Sequence, residues 1–99
     1  MAWTLHLVAA SKKSEVETAL HDDIVSRQSQ KLRDASALGG ASGQLYVLVE
    51  GSAEAVGRAE GLLKPLSEPL TPADRDAIYR RLKDEEESAS AGMGLFFTE

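Results

Sequence analysis

The sequence predicts an α+β domain, an antiparallel sheet with amphipathic helices laid on it in two layers. Three observations carry this reading. Trp3 to Ala10 alternate as a half-buried strand does, with Trp3, Leu5, Leu7 and Ala9 on one face and Thr4, His6 and Val8 on the other. Leu45 to Glu50 form an apolar strand that Gly51-Ser52 turns directly into a helix. Thr71-Pro72-Ala73-Asp74 opens a further helix, with a capping hydroxyl, proline at the first helical position and a carboxylate behind it.

The remaining elements follow in order. Ser14-Glu15-Val16-Glu17 fits a capping box, and Val16, Ala19/Leu20 and Ile24 continue one apolar stripe. A helix is therefore expected from about Glu15 to at least Ile24. Residues 25–38 satisfy neither period well. The compromise is a helix running to about Ser29 and a short strand from Leu32 to Leu38, paired with 44–50 through Gly39-Gly40-Ala41-Ser42-Gly43.

In the strand at 45–50, Leu45, Val47 and Val49 share one face, and Tyr46, Leu48 and Glu50 the other. Ser52 suits an N-cap, Glu54 complements the helix dipole, and Ala55/Val56, Ala59, Leu62/Leu63 and Leu66 recur at helical spacing. Residues 67–70 read as a connector. The helix from Pro72 to about residue 86 carries a narrow stripe of Ala77, Ile78 and Leu82, and its acidic run Asp84–Glu87 sits at the unfavourable end of the dipole. Ser88 to Gly94 read as a flexible link, and Leu95-Phe96-Phe97-Thr98 as a short C-terminal strand. Folded as a split β-α-β unit, these elements give a ferredoxin-like two-layer sandwich over residues 1–99, with helices on one sheet face and an extra helix before the last strand.

Composition bounds the role. Ninety-nine residues make one domain, and 42 % hydrophobic with 27 % charged residues is ordinary for a soluble globular chain. The absence of cysteine excludes disulfides, thiolate nucleophiles and Cys-based zinc sites. The N-terminus is apolar before it is basic, the reverse of a secretory signal, so the expected location is cytoplasmic. Net charge is −5; residues 1–50 carry five Lys/Arg against six Asp/Glu, and residues 51–99 six against ten. That balance repels a phosphate backbone, so nucleic acid is not the default partner.

Chemistry-bearing clusters are few. His21-Asp22-Asp23 point about 100° apart on a helix and do not converge on one ion, so no metal is expected. Ser11, Ser14, Ser26, Ser29, Ser36 and Ser42 sit where caps and turns belong, and no nucleophile elbow, P-loop or dinucleotide fingerprint is present. No catalytic residue or cofactor is assigned, and catalysis is not the expected role. Arg27, Lys31 and Arg33 form a local basic cluster without the interleaved aromatics of a stacking platform.

Gly40-Ala41-Ser42-Gly43 matches a GxxG pattern, and the strand and helix that follow resemble the closing part of a KH domain. The resemblance covers about a quarter of the chain. It implies a loop holding a nucleic-acid backbone through main-chain N–H groups, with Gly40 and Gly43 beside Arg27, Lys31 and Arg33 as the anion-binding set. In KH domains that loop joins two helices, whereas here it leads into a strand. The same strand-Gly-helix phrase is similar to other ferredoxin-like folds, including ACT-type regulatory domains and bacterial microcompartment shell proteins.

The expected function is that of a small soluble, non-catalytic binding or regulatory module. It would act through a protein partner or a second copy of itself, and RNA binding through the Gly40 loop is the alternative. Phe96 and Phe97 at the chain end, with His6 and Tyr46 on a sheet face left open by the helices, are the expected contacts.

Overall fold

The computed structural model describes residues 2–38 and 42–98, with side chains as far as Glu85. The elements run β1 (Ala2–Ala9), α1 (Lys13–Leu20), β2 (Ser29–Asp34), β3 (Gln44–Gly51), α2 (Ala53–Leu63), β4 (Ser67–Glu68) and α3 (Pro72–Thr98). Short 3-10 turns occupy Ala10–Lys12, Val25–Arg27, Ala35–Leu38 and Lys64–Leu66. The four strands form one antiparallel sheet in the order β2-β3-β1-β4.

Strand β3 is central because it is apolar on both faces, and every residue from Leu45 to Glu50 is buried. Its two faces support two cores. Val8, Leu45, Val47 and Val49 pack with Val16 and Leu20 of α1, Val25, and Ala59 and Leu63 of α2. On the opposite face Leu5, Tyr46 and Leu48 pack with Ala35, Leu38 and Leu82, joined by Trp3, Leu7, Leu70, Ile78 and Tyr79. Helices α1 and α2 with the sheet make the expected two layers. Helix α3 covers the face that the sequence reading left open.

That placement of α3 corrects the order of the final elements. The fourth strand is Ser67–Glu68, pairing with Val8 and Leu7, and not Leu95–Thr98, where the backbone continues α3. The connector was long enough to reach the free edge of β1, so α3 follows the sheet instead of interrupting it. No proline falls between Ala73 and Thr98 to stop the helix.

The start of α3 is as expected: the Asp74 N–H donates to Thr71 Oγ1 at 3.1 Å, and Pro72 is the first residue. Docking then falls to Leu82, which is 1 % exposed, and to polar contacts around it. Arg81 Nη1 donates to the Leu38 carbonyl at 2.8 Å. Glu50 is only 8 % exposed and receives Tyr79 Oη at 2.9 Å and Lys83 Nζ at 3.3 Å.

Helix α1 begins and ends earlier than its periodicity suggests. The 3-10 turn Ala10–Lys12 feeds straight into it, so Ser14 is an interior residue whose carbonyl accepts the Thr18 hydroxyl at 3.0 Å. No capping box forms. At the other end Asp22 Oδ2 accepts the N–H groups of Ile24 and Val25 at 3.1 and 3.3 Å, an alternative to continued helical bonding. Gln30 Nε2 donates to the carbonyls of Leu20 and Val25, sealing the break. The chain therefore enters β2 at Ser29, and the segment expected as strand up to Leu38 turns under the sheet so that Ala35 and Leu38 are buried. The Ser52 cap on α2 is formed, with the Ala55 N–H donating to Ser52 Oγ at 3.2 Å.

Candidate functional site

His6 is the most constrained polar side chain of the sheet. It lies on the α2 face of β1, opposite Val47, and is 8 % exposed. Ser67 Oγ donates its one hydrogen to the Leu63 carbonyl at 2.8 Å, so it accepts from His6 Nδ1, also at 2.8 Å. The neutral ring then takes the Thr4 Oγ1 hydrogen on Nε2 at 2.8 Å. Burial first, and the positive charge of Arg75 second, hold the imidazole pKa below 6.5, against an opposing pull from Glu60. The same chain excludes a nucleophilic role for Ser67: its proton points at a carbonyl, and the imidazole is its donor instead of its base.

Beside His6 a cavity of about 250 Å³ opens between β1, the end of α2, β4 and the start of α3. Its polar lining is His6, Glu60, Lys64, Glu68 and Arg75, and Leu5, Leu7 and Leu70 supply an apolar wall. A second cavity of about 220 Å³ lies between Trp3, Pro72, Arg75 and Asp76. Arg75 is common to both. Its guanidinium stands over the Trp3 ring, 5.8 Å from the centroid, and its Nε is buried without a hydrogen-bond acceptor.

The other exposed feature is β2. It has β3 on one side and, among the described residues, no strand on the other. Gln30 and Leu32 pair with Val49 and Val47 on the α1 face, whereas Lys31 and Arg33 pair with Leu48 and Tyr46 on the α3 face. Arg33 Nε lies 3.8 Å from Glu85, and Arg27, before the strand, lies 3.7 Å from Asp23. The three basic residues expected to cluster thus flank one sheet edge, and each of them has an interaction of its own there.

His6 and Tyr46 are not companions on an open surface. They occupy opposite faces of the sheet and are 8 % and 7 % exposed, because α2 covers one and α3 the other. The side chains of Phe96 and Phe97 lie outside the described residues. So does Gly40, while Gly43 enters β3 with φ +85° and accepts the Ala10 N–H at 2.9 Å. A strand follows at Gln44, as expected, but the residues before the glycines, Ala35–Leu38, form a 3-10 turn and not the strand of a tight hairpin.

Of the His21-Asp22-Asp23 cluster, Asp22 turns to Arg58 of α2, with Nε and Nη2 at 2.6 and 2.7 Å. Hydrogen bonds from that guanidinium hold the Asp22 carboxyl down to about 2, and the same pair raises the pKa of Arg58. Among the described residues no group of three acidic or histidine side chains could hold a metal ion, and no helix is long and apolar enough to cross a membrane.

Sequence reasoning reached His6 and missed the charges around it. Glu60 and Lys64 are an i,i+4 pair on a helix and read as a solvated face; Arg75 reads as part of a capped first turn. Only the path of residues 64–72 along β1 brings them together. Compared with models of known protein families, with curated proteins and with solved structures, the chain matches none.

Proposed function

We propose that this chain is a non-catalytic binding module of the cytoplasm, built on a ferredoxin-like unit, that recruits an acidic partner strand onto β2. The connectivity strand-helix-strand-strand-helix-strand and the order β2-β3-β1-β4 support the fold assignment. The exposed edge of β2 carries the functional reading. An edge strand offers a row of main-chain groups that an extended segment can pair with, and its side chains set the choice of partner.

Charge selects a foreign strand over a second copy. In-phase antiparallel pairing of two β2 strands sets Lys31 against Lys31, or Lys31 against Arg33, and like charges directly opposed are destabilising. A strand with carboxylates opposite Lys31 and Arg33 and an apolar residue opposite Leu32 meets complementary chemistry at these three central positions.

The test is titration with a short peptide alternating glutamate and valine, read by amide exchange. Protection is expected to rise at Ser29–Asp34 and to vanish with Lys31→Glu plus Arg33→Glu, or when alternate peptide nitrogens are methylated. No gain of protection at low salt, or equal binding of the methylated peptide, overturns the reading. If oligouridylate perturbs the same amides and the peptide does not, the RNA-binding alternative replaces it.

A further inference from the structure

We propose that the cavity beside His6 is a binding site for a small zwitterion, a free α-amino acid with a short apolar side chain. Four charged side chains line it, Lys64 and Arg75 of one sign and Glu60 and Glu68 of the other. Among the described residues these four form no ion pair with one another, and none of them has another hydrogen-bonded partner. Opposite charges that share a cavity of this size without closing on each other leave room for a ligand that carries both signs. Arg75 sharpens the point. Its Nε donor is buried with no acceptor, a costly state, and a turn of the guanidinium into the cavity would bring it onto a carboxylate oxygen.

The volume fixes the size class. About 250 Å³ is below the roughly 300–1,000 Å³ of drug-sized sites and suits a metabolite. The lining fixes orientation: carboxylate toward Arg75 and Lys64, ammonium toward Glu60 and Glu68, and hydrocarbon against Leu7 and Leu70. His6, whose proton affinity burial and then the charge of Arg75 lower, adds a hydrogen-bonded polar group to the floor. Binding there would bridge α2, β4 and the first turn of α3, each of which contributes a charged residue to the lining.

The experiment is a titration of the full chain with a panel of standard L-amino acids, read by amide chemical shifts and by thermal melting. L-leucine or L-valine is expected to shift the amides of residues 5–7, 60–64, 68 and 75 and to raise the melting temperature. Each of 4-methylpentanoate and isopentylamine, which carries one of leucine's two charges, is expected to bind at least about 10-fold more weakly, the loss of one charge-assisted contact. Arg75→Met is expected to abolish leucine binding. Glu60→Gln with Glu68→Gln, remote from the Trp3 contact, is expected to leave the fold intact and make leucine no better than 4-methylpentanoate. No shift with any amino acid at ~10 mM overturns the proposal. So does equal binding of 4-methylpentanoate to the unmodified chain, which would make the cavity a plain anion site.

Discussion

The rings of Trp3 and Tyr79 stack in parallel, 5° apart in orientation and 4.1 Å between centroids. One belongs to the first strand and the other to the last helix, so this contact reports directly on whether α3 is seated. Trp3 is the single tryptophan of the chain. Tyr79→Leu keeps hydrocarbon in place but removes the stack and the hydroxyl that reaches Glu50. It is expected to destabilise the fold by about 1–3 kcal/mol and to shift Trp3 emission to the red, measured by denaturant titration with fluorescence.

Leu82 is the most buried described residue of α3 and belongs to the second core with Leu5, Leu38, Tyr46 and Leu48. Leu82→Ala is expected to cost about 2–5 kcal/mol, the range for emptying a closed leucine site. Arg80→Ala on the exposed side of the same helix is expected to stay within about 0.5 kcal/mol. Equal effects of the two would mean that α3 does not dock through this stripe.

The buried imidazole makes stability depend on pH in a defined direction. His6 binds its proton more weakly in the folded chain than in the unfolded one, where 6.5 applies. Stability is therefore fully present above about pH 6.5 and falls as acid drives protonation through that value toward the lower folded pKa. Protonation adds a hydrogen on Nε2 facing the Thr4 hydroxyl, which must then turn its own hydrogen elsewhere. Replacing His6 with Gln is expected to flatten this slope between pH 7 and 5, read by thermal melts.

A second acid limb belongs to Asp22. Its carboxyl titrates at about 2 when folded against 3.8 when free, so the clamp to Arg58 holds above 3.8 and is lost as pH falls through about 2. Asp22→Asn is expected to lower the melting temperature at neutral pH and remove this limb. Because Asp22 also holds the Ile24 and Val25 amides, faster exchange at those two positions should accompany the change.

Gly43 is the one described residue in the left-handed region. A Cβ there meets nothing within 4 Å, so the cost of substitution is backbone conformation alone. Gly43→Ala is expected to destabilise by about 1–2 kcal/mol without altering the packing of β3, as chemical denaturation and exchange at Leu45–Glu50 would show.

The sequence made β1, β3, α2 and the opening of α3 legible because each carries its own signal: alternation, an apolar run, a Ser52 cap, a Thr71-Pro72 start. Residues 25–38 were not legible because their structure is decided by contacts from outside the segment. Gln30 closes the end of α1, Asp22 stops the helix, and pairing with Leu45–Glu50 sets the strand. The side on which α3 packs was hidden too, since Ile78 and Leu82 specify an apolar stripe but not which sheet face receives it. The candidate site fared as the fold did. His6 announced itself by type, whereas Glu60, Glu68 and Arg75 come from three elements with no shared motif.

Glu50, near the end of a buried strand, has a consequence for how α3 finds its seat. A carboxylate sealed beneath a helix is tolerated only where that helix brings a hydroxyl and an ammonium to it, as Tyr79 and Lys83 do. Slide the helix by one turn, or roll it, and the negative group is entombed against hydrocarbon, a penalty of roughly 3–5 kcal/mol. Leucine and isoleucine would accept several such poses almost equally well; the acid accepts one.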